Sequence, residues 1–165
     1  MKRKGYKFRL YPNEFQEILI NKTFGCTRQI HNLLLNEKES VYDLYKEYPE
    51  LLKSHTYLTP AYYKTIYPYL KEVDSQALTS AWLNMKNAFS NFFNKTHNYP
   101  NYKSKKNTRQ SYTTHTTNEN IRLESNGIQL PKLGVVKFRK HRELPDDAVI
   151  KAATISKNAS GKYYV

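Results

Sequence analysis

Residues 6–16, Tyr6-Lys7-Phe8-Arg9-Leu10-Tyr11-Pro12-Asn13-Glu14-Phe15-Gln16, change their periodicity halfway along. From Lys7 to Tyr11 polar and apolar residues alternate, the pattern of a half-buried strand. Pro12 ends it by removing an N–H donor. Asn13 and Gln16, three residues apart, then form a capping-box pair, and Phe15, Ile18 and Leu19 open the apolar stripe of a helix. Gly25 is expected to loosen or break that helix, with Ile30, Leu33 and Leu34 resuming its spacing. Tyr42, Leu44 and Tyr45 extend a polar stretch to Tyr48-Pro49, and Pro60 and Pro68 punctuate a Tyr-rich connection to which no structure is assigned.

Working outward, the strongest helical pattern follows Asp74 and Ser75, either of which can cap it. Leu78, Ala81, Trp82, Met85, Phe89, Phe92 and Phe93 recur at three and four residues, which predicts a central packing helix. Beyond Asn98-Tyr99-Pro100 the runs are short and alternating: Ile121 to Leu123, Gly127 to Leu130, Val135 to Phe138, Val149 to Ser156 and Lys162 to Val165. These read as strands, with turns at Asn126-Gly127 and at Asn158-Ala159-Ser160-Gly161. An early strand, a helical middle and a strand-rich end make the fold class α+β.

The 165 residues include 27 Lys and Arg against 14 Asp and Glu, net +13, so a polyanion is the expected partner. The charge is uneven: five basic and no acidic residues at 1–12, seven against nine at 13–74, and fifteen against five at 75–165. A near-neutral segment is thus set between two basic ones, as a helical insertion into a basic scaffold would be. No apolar run follows the basic start, and neither a basic amphipathic helix nor a lipidation signal is present, so a membrane partner is excluded and a cytoplasmic setting expected. The single Cys26 permits neither an internal disulfide nor a structural zinc site and is expected to be a buried small hydrophobe. Fifteen Tyr, seven Phe and one Trp are more rings than so polar a chain can bury. Either some of them stack on unpaired bases, or Tyr is abundant because it suits strands.

Lys103-Ser104-Lys105-Lys106-Asn107-Thr108-Arg109 places four cations in seven residues without a local carboxylate. It reads as a phosphate-binding loop or as a solvated linker. A second basic strip is Lys137, Arg139, Lys140, His141 and Arg142, and a third is Lys2, Arg3 and Lys4; on one sheet the three would form a continuous anion-binding surface. No nucleophile–base set, metal cluster or glycine-rich phosphate loop is found. Asp146-Asp147 reads as a turn, and the five His, at 31, 55, 97, 115 and 141, lack metal-ligand spacing.

Six collinear stretches, YKFRLYPNEFQ (6–16), NKTFGCTRQIHN (21–32), LKEVDSQALTSAWLNMKNAFSNFF (70–93), YPNYKSKKNTRQSYTT (99–114), NGIQLPKLGVVKFRKHRELP (126–145) and TISKNASGKYYV (154–165), resemble the TnpB (OrfB transposase) family of transposon-encoded RNA-guided nucleases over essentially the whole chain. The resemblance implies a wedge β-barrel begun by residues 1–12 and completed by 99–165, with a helical recognition lobe inserted at 13–98 and the region labelled helix-turn-helix at 1–46. It implies that these modules hold a transposon-derived guide RNA and read a short duplex DNA motif flanking the target. By the same resemblance Tyr57, Ser75, Gln76, Thr79, Ser111, Tyr112, Thr114, Thr117 and Asn118 border that DNA. Lys103, Lys105, Lys106 and Arg109, with Lys137, Arg139, Lys140 and Arg142, fit phosphate-backbone contacts, whereas Tyr6, Phe8 and Trp82 are assigned to core packing.

The resemblance further implies that the catalytic carboxylates with their Mg2+, and a four-cysteine zinc module, belong to a RuvC-like domain after the Lys-Tyr-Tyr-Val strand. The chain ends at Val165, as a truncated gene or an expressed fragment would, so as it stands it is expected to be no enzyme and to need no cofactor. The rival expectations are a truncated remnant without a role, and a DNA- or RNA-binding regulator that competes with an intact nuclease.

Overall fold

The structure is a computed structural model that describes residues 4–145 and 148–165. Lys2 and Arg3 of the third basic strip, and the Asp146-Asp147 turn, lie outside the described residues. The fold is α+β, with a seven-stranded antiparallel sheet curled into a half-barrel, and helices. The chain divides into two compact units, Met1–Phe24 with Lys106–Val165, and Gly25–Lys105. The sequence expected the boundaries at residues 12 and 98.

The first unit contains the sheet, in the order β2-β6-β7-β1-β5-β4-β3. Its strands are β1 (Arg9–Tyr11), β2 (Gln110–His115), β3 (Arg122–Glu124), β4 (Gly127–Leu130), β5 (Gly134–Arg139), β6 (Ala152–Lys157) and β7 (Tyr163–Tyr164). Residues from both ends of the chain meet at β1, which pairs with β5 on one side and β7 on the other. Phe8 extends this pairing through reciprocal backbone hydrogen bonds with Val165. One face is apolar: Phe8, Leu10, Tyr112, Ile128, Leu130, Val136, Ile155 and Tyr163 are all buried. Tyr6, expected in the core, is half-buried and stacks on Phe8.

The start of helix α1 (Glu14–Tyr45) closes that face. The capping box forms as its spacing predicts, since Gln16 N–H donates to Asn13 Oδ1 at 2.8 Å and Asn13 N–H to Gln16 Oε1 at 3.0 Å. The Gln16 amide also donates from Nε2 to the carbonyls of Leu133 and Val135, at 3.1 and 2.9 Å. Those bonds turn Gln16 and Ile20 inward, so Phe15 and Ile18, expected on the inner stripe, are exposed. Phe24 meets Tyr112 edge-on with ring centroids 5.6 Å apart. Gly25 does not break the helix: an interior glycine costs roughly 1 kcal/mol, less than burial of Ile20, Phe24, Cys26 and Ile30 along the same helix supplies.

The two expected turns differ in kind. At Asn158–Gly161 the Asn158 side chain accepts from Lys162 N–H and Gly161 takes φ +76°, a hairpin turn as the sequence suggests. In the β3–β4 hairpin, by contrast, Gly127 already pairs with Glu124 and has no positive φ. Its need for glycine is steric, because a Cβ there would lie 2.3 Å from the Val136 carbonyl oxygen. Strand β2, a run of Gln, Ser, Thr, Tyr and His, was not anticipated as a strand.

The second unit holds the rest of α1, then α2 (Pro49–Ser54), α3 (Pro60–Ile66), a 3-10 turn (Pro68–Lys71) and α4 (Ser75–Phe93). Asp74, not Ser75, caps α4, accepting from Gln76 N–H at 3.0 Å. Leu34, Leu35, Met85 and Phe89 form a core cluster against which Tyr57 and Trp82 pack. Trp82 is only half-buried, its Nε1–H donating to the Leu58 carbonyl, and Phe93 is 72% exposed, so the α4 stripe is narrower than its periodicity suggested. Buried Cys26 matches its expected role. Glu37 organises the Tyr-rich connection by accepting from Leu58 N–H and from the Tyr63 hydroxyl at 2.8 Å.

Candidate nucleic-acid interface

The sheet unit carries 17 Lys and Arg against seven Asp and Glu, the helical unit ten against seven. Positive charge therefore concentrates in the sheet unit. Side chains alternate across a strand, and the registers fix which residues share the outer face. Ser111 and Thr113 on β2 stand opposite Ser156 and Thr154 on β6, with Tyr164 on β7 next. Arg9 and Tyr11 on β1 follow, then Arg139 and Lys137 on β5, and Gln129 and Arg122 on β4 and β3.

At the centre of this face Arg9 stands directly opposite Arg139. Two like charges in that relation repel, and among the described residues neither has an acidic partner. The Arg9 guanidinium lies 5.3 Å from the Tyr11 ring centroid and 5.6 Å from that of Tyr164, over which Lys7 also sits at 4.5 Å. Arg9 Nε is buried and, among the described residues, has no hydrogen-bond partner. The result is a set of cations held over the rings of exposed Tyr11 and half-buried Tyr164, which suits a row of phosphates flanked by sugars or bases. Lys7, Arg9, Tyr11 and Tyr164 were not singled out from sequence as ligand contacts. Their signal was the alternation itself, which puts Lys7, Arg9 and Tyr11 on one face.

The residues expected at DNA are distributed as follows. Period two separates Ser111, on the outer face, from Tyr112 and Thr114, which are buried in the apolar one. Thr117 and Asn118 lie in the exposed loop after β2, where Asn118 takes φ +50° and Thr117 N–H donates to Asn120 Oδ1. Ser75, Gln76 and Thr79 form the first turn of α4. Ser75 Oγ accepts from Lys64 Nζ at 2.7 Å, and Thr79 Oγ1 donates to the Ser75 carbonyl. The Asp74 carboxylate already occupies this helix end, so it offers side chains to a base edge and not a free anion site. Tyr57 is half-buried beneath Lys38 Nζ, 3.8 Å from its ring centroid, and burial first and Glu37 second raise its hydroxyl pKa.

Of the expected phosphate contacts, Lys137 and Arg139 share the outer face, Arg142 is exposed beyond β5, and Lys140 pairs with Glu143. Lys103, Lys105, Lys106 and Arg109 lie on the exposed segment that leads from one unit into the other. Helix α1 fixes the start of this segment. The Asn32 amide donates to the Lys103 carbonyl at 3.0 Å and accepts from Lys103 N–H at 2.8 Å. Next to it, His31 Nε2 is 3.1 Å from the Asn101 carbonyl, so Nε2 carries the proton while buried Nδ1 has no partner among the described residues.

Burial holds the His31 pKa below 6.5; the Asn101 bond opposes this and the Lys103 charge adds to it. A histidine whose pKa is depressed on folding stabilises nothing by its charge. Stability from this site is intact above pH 6.5 and is lost as pH falls through the lowered value. Thermal melts of the chain from about pH 8 to about pH 5 should fall at the acid end, and His31→Gln should flatten that fall. An unchanged acid limb in the variant would assign the loss elsewhere.

Among the described residues no three His, Cys, Asp or Glu side chains gather as metal ligands, and no helix is long and apolar enough to cross a membrane. Residues 1–47, containing β1 and the continuous helix α1, match a family model described as the helix-turn-helix domain of IS605 OrfB proteins. The chain is 29% identical over 164 residues to a protein of Streptomyces pristinaespiralis named "Putative RNA-guided DNA endonuclease". It is 28% identical over 166 aligned positions to "Putative RNA-guided DNA endonuclease InsQ" of Escherichia coli strain K12. The alignments take in 99% and 100% of this chain and 40% of each relative.

Proposed function

We propose that this chain, an OrfB-type sequence that spans 40% of the length of its curated relatives, is the nucleic-acid-holding region of an RNA-guided DNA endonuclease. It binds a guide RNA and the duplex DNA that flanks the target, and it does not itself cut. The observation that supports this best is the opposition of Arg9 and Arg139 on a face with rings beside them and, among the described residues, no acidic partner for either. Phosphate contacts on this face position the nucleic acid. Ser75, Gln76, Thr79, Ser111, Thr117 and Asn118 are the proposed neighbours of the flanking motif, and Lys103, Lys105, Lys106 and Arg109 the proposed contacts of the connecting segment. Guide pairing then supplies sequence specificity. On this proposal any Mg2+ and zinc chemistry of such nucleases belongs to the part of the relatives that this chain does not match.

Binding of the purified chain to structured RNA and to duplex DNA should weaken linearly on a log–log plot against salt, with a slope of roughly −0.7 to −0.9 for each phosphate contacted. Salt-independent affinity, or none, overturns the reading. Sequencing of nucleic acid that co-purifies with the chain tests the RNA half separately: enrichment of one structured transcript is expected.

A further inference from the structure

We propose that the helical unit contains a separate site for one unpaired nucleotide, its base stacked on Tyr102 and its phosphate at Arg28. The site is a groove along one face of α1, where Gly25, Arg28, Gln29, Asn32 and Asn36 face Tyr102. This inference rests on the nucleic-acid reading above and assigns a ligand to residues that reading does not use.

Three observations converge. Tyr102 is 51% exposed, yet its ring is fixed, because its hydroxyl donates to Glu39 Oε2 at 2.5 Å while Tyr99 donates to Oε1 of the same carboxylate. The hydrogen bond to Glu39, then burial, pushes the Tyr102 hydroxyl pKa up to about 12, so it stays a donor and the ring stays neutral. The adjoining backbone is held by the two reciprocal bonds between the Asn32 amide and Lys103. A fixed ring with an open face loses little freedom when a base stacks on it.

Arg28 is half-buried, and among the described residues it has neither an ion pair nor a hydrogen bond. A partly desolvated guanidinium without an anion calls for one. Glu39 repels phosphate at the Tyr102 end of the groove, so the phosphate belongs at Arg28. Between them the Asn36 amide is exposed, and the Gln29 amide, whose Oε1 accepts from Tyr69, keeps its Nε2 donors for a base edge. Third, nothing in the packing requires Gly25 to be glycine. A Cβ there would meet only Arg28 Nη2, at 3.8 Å, so the missing side chain leaves the groove floor open. A paired base is already stacked on both sides and cannot use a lone ring, which restricts the occupant to a single-stranded segment.

The test uses the whole chain, a short single-stranded RNA, the DNA strand of the same sequence and their duplex at one salt concentration. Tyr102→Ala should weaken single-strand binding about tenfold, and Tyr102→Phe should recover most of the loss, as stacking without the Glu39 bond would. Gly25→Leu should weaken it comparably without lowering the melting temperature, and duplex binding should change in neither variant. On the wild type, a 4-thiouracil-substituted strand should photo-crosslink to Tyr102 or to residues 25–36. Preference for RNA or for DNA assigns the strand's origin. Crosslinks confined to the sheet unit, or single-strand binding indifferent to both Tyr102→Ala and Gly25→Leu, overturn this proposal alone. A chain that binds no nucleic acid overturns the proposed function with it.

Discussion

Replacing Lys7, Arg9, Lys137 and Arg139 together with alanine is expected to lower affinity for structured RNA or duplex DNA by roughly two to three orders of magnitude near physiological salt. Each phosphate contact releases close to one counterion, which at about 0.15 M salt is worth roughly a factor of four to five, and four contacts multiply. The log–log salt slope should fall by about three, so wild type and variant should converge as salt approaches 1 M. Folding should survive. The four side chains lie on the outer face, and removing the Arg9–Arg139 opposition relieves a repulsion. Salt titrations of binding, with thermal melts of both proteins, check the prediction. A variant that melts like wild type and keeps its slope would show that nucleic acid is held elsewhere.

The second large effect is on folding. Gly127→Ala places a methyl group 2.3 Å from the Val136 carbonyl oxygen and 2.9 Å from its carbon, both backbone atoms of the adjacent strand. Neither can move without disturbing the β4–β5 pairing, where Gly127 stands opposite Lys137 and Ile128 opposite Val136. The expected loss is about 3 kcal/mol, at the upper end for overpacking, and Gly127→Val should prevent a cooperative transition in the sheet unit. Gly25→Ala is the control, because it adds the same methyl where only Arg28 Nη2 stands nearby, at 3.8 Å. It should gain about 0.5–1 kcal/mol from helix propensity. Chemical denaturation of the three variants measures both signs, and a Gly127→Ala protein as stable as wild type would show that the two strands separate at no cost.

What was legible in the sequence is what local chemistry decides. The capping box of Asn13 and Gln16, the α4 start at Asp74 and the turn at Asn158–Gly161 each depend on residues within four positions of one another. The misreadings depend on distant partners. Phe15 and Ile18 have helical spacing, but the roll of α1 is set by Gln16 bonds to carbonyls at Leu133 and Val135, 117 and 119 positions away. Gly25 was expected to interrupt the helix because its intrinsic cost is local while the burial that outweighs it is not. Strand β2 escaped notice because its inward residues are Tyr112 and Thr114, too polar to mark a buried face by hydropathy. At the candidate interface, the basic strips were visible as composition. The Arg9–Arg139 opposition is a matter of register between the first strand and the fifth, which no window along the chain displays.

The central place of β1 in the sheet bears on how the protein emerges from the ribosome. Leu10 pairs with Phe138 and Tyr163, so β1 is made well before the strands that satisfy its backbone on either side. The helical unit, continuous from Gly25 to Lys105, is complete well before β5 and β7 exist. During that interval β1 is an unpaired strand with Phe8 and Leu10 uncovered, the kind of segment that recruits strands from other chains. Lys7 and Pro12 flank it and Arg9 lies within it, residues that discourage such pairing. The cations proposed to hold nucleic acid in the finished protein thus also guard β1 until its partner strands are made.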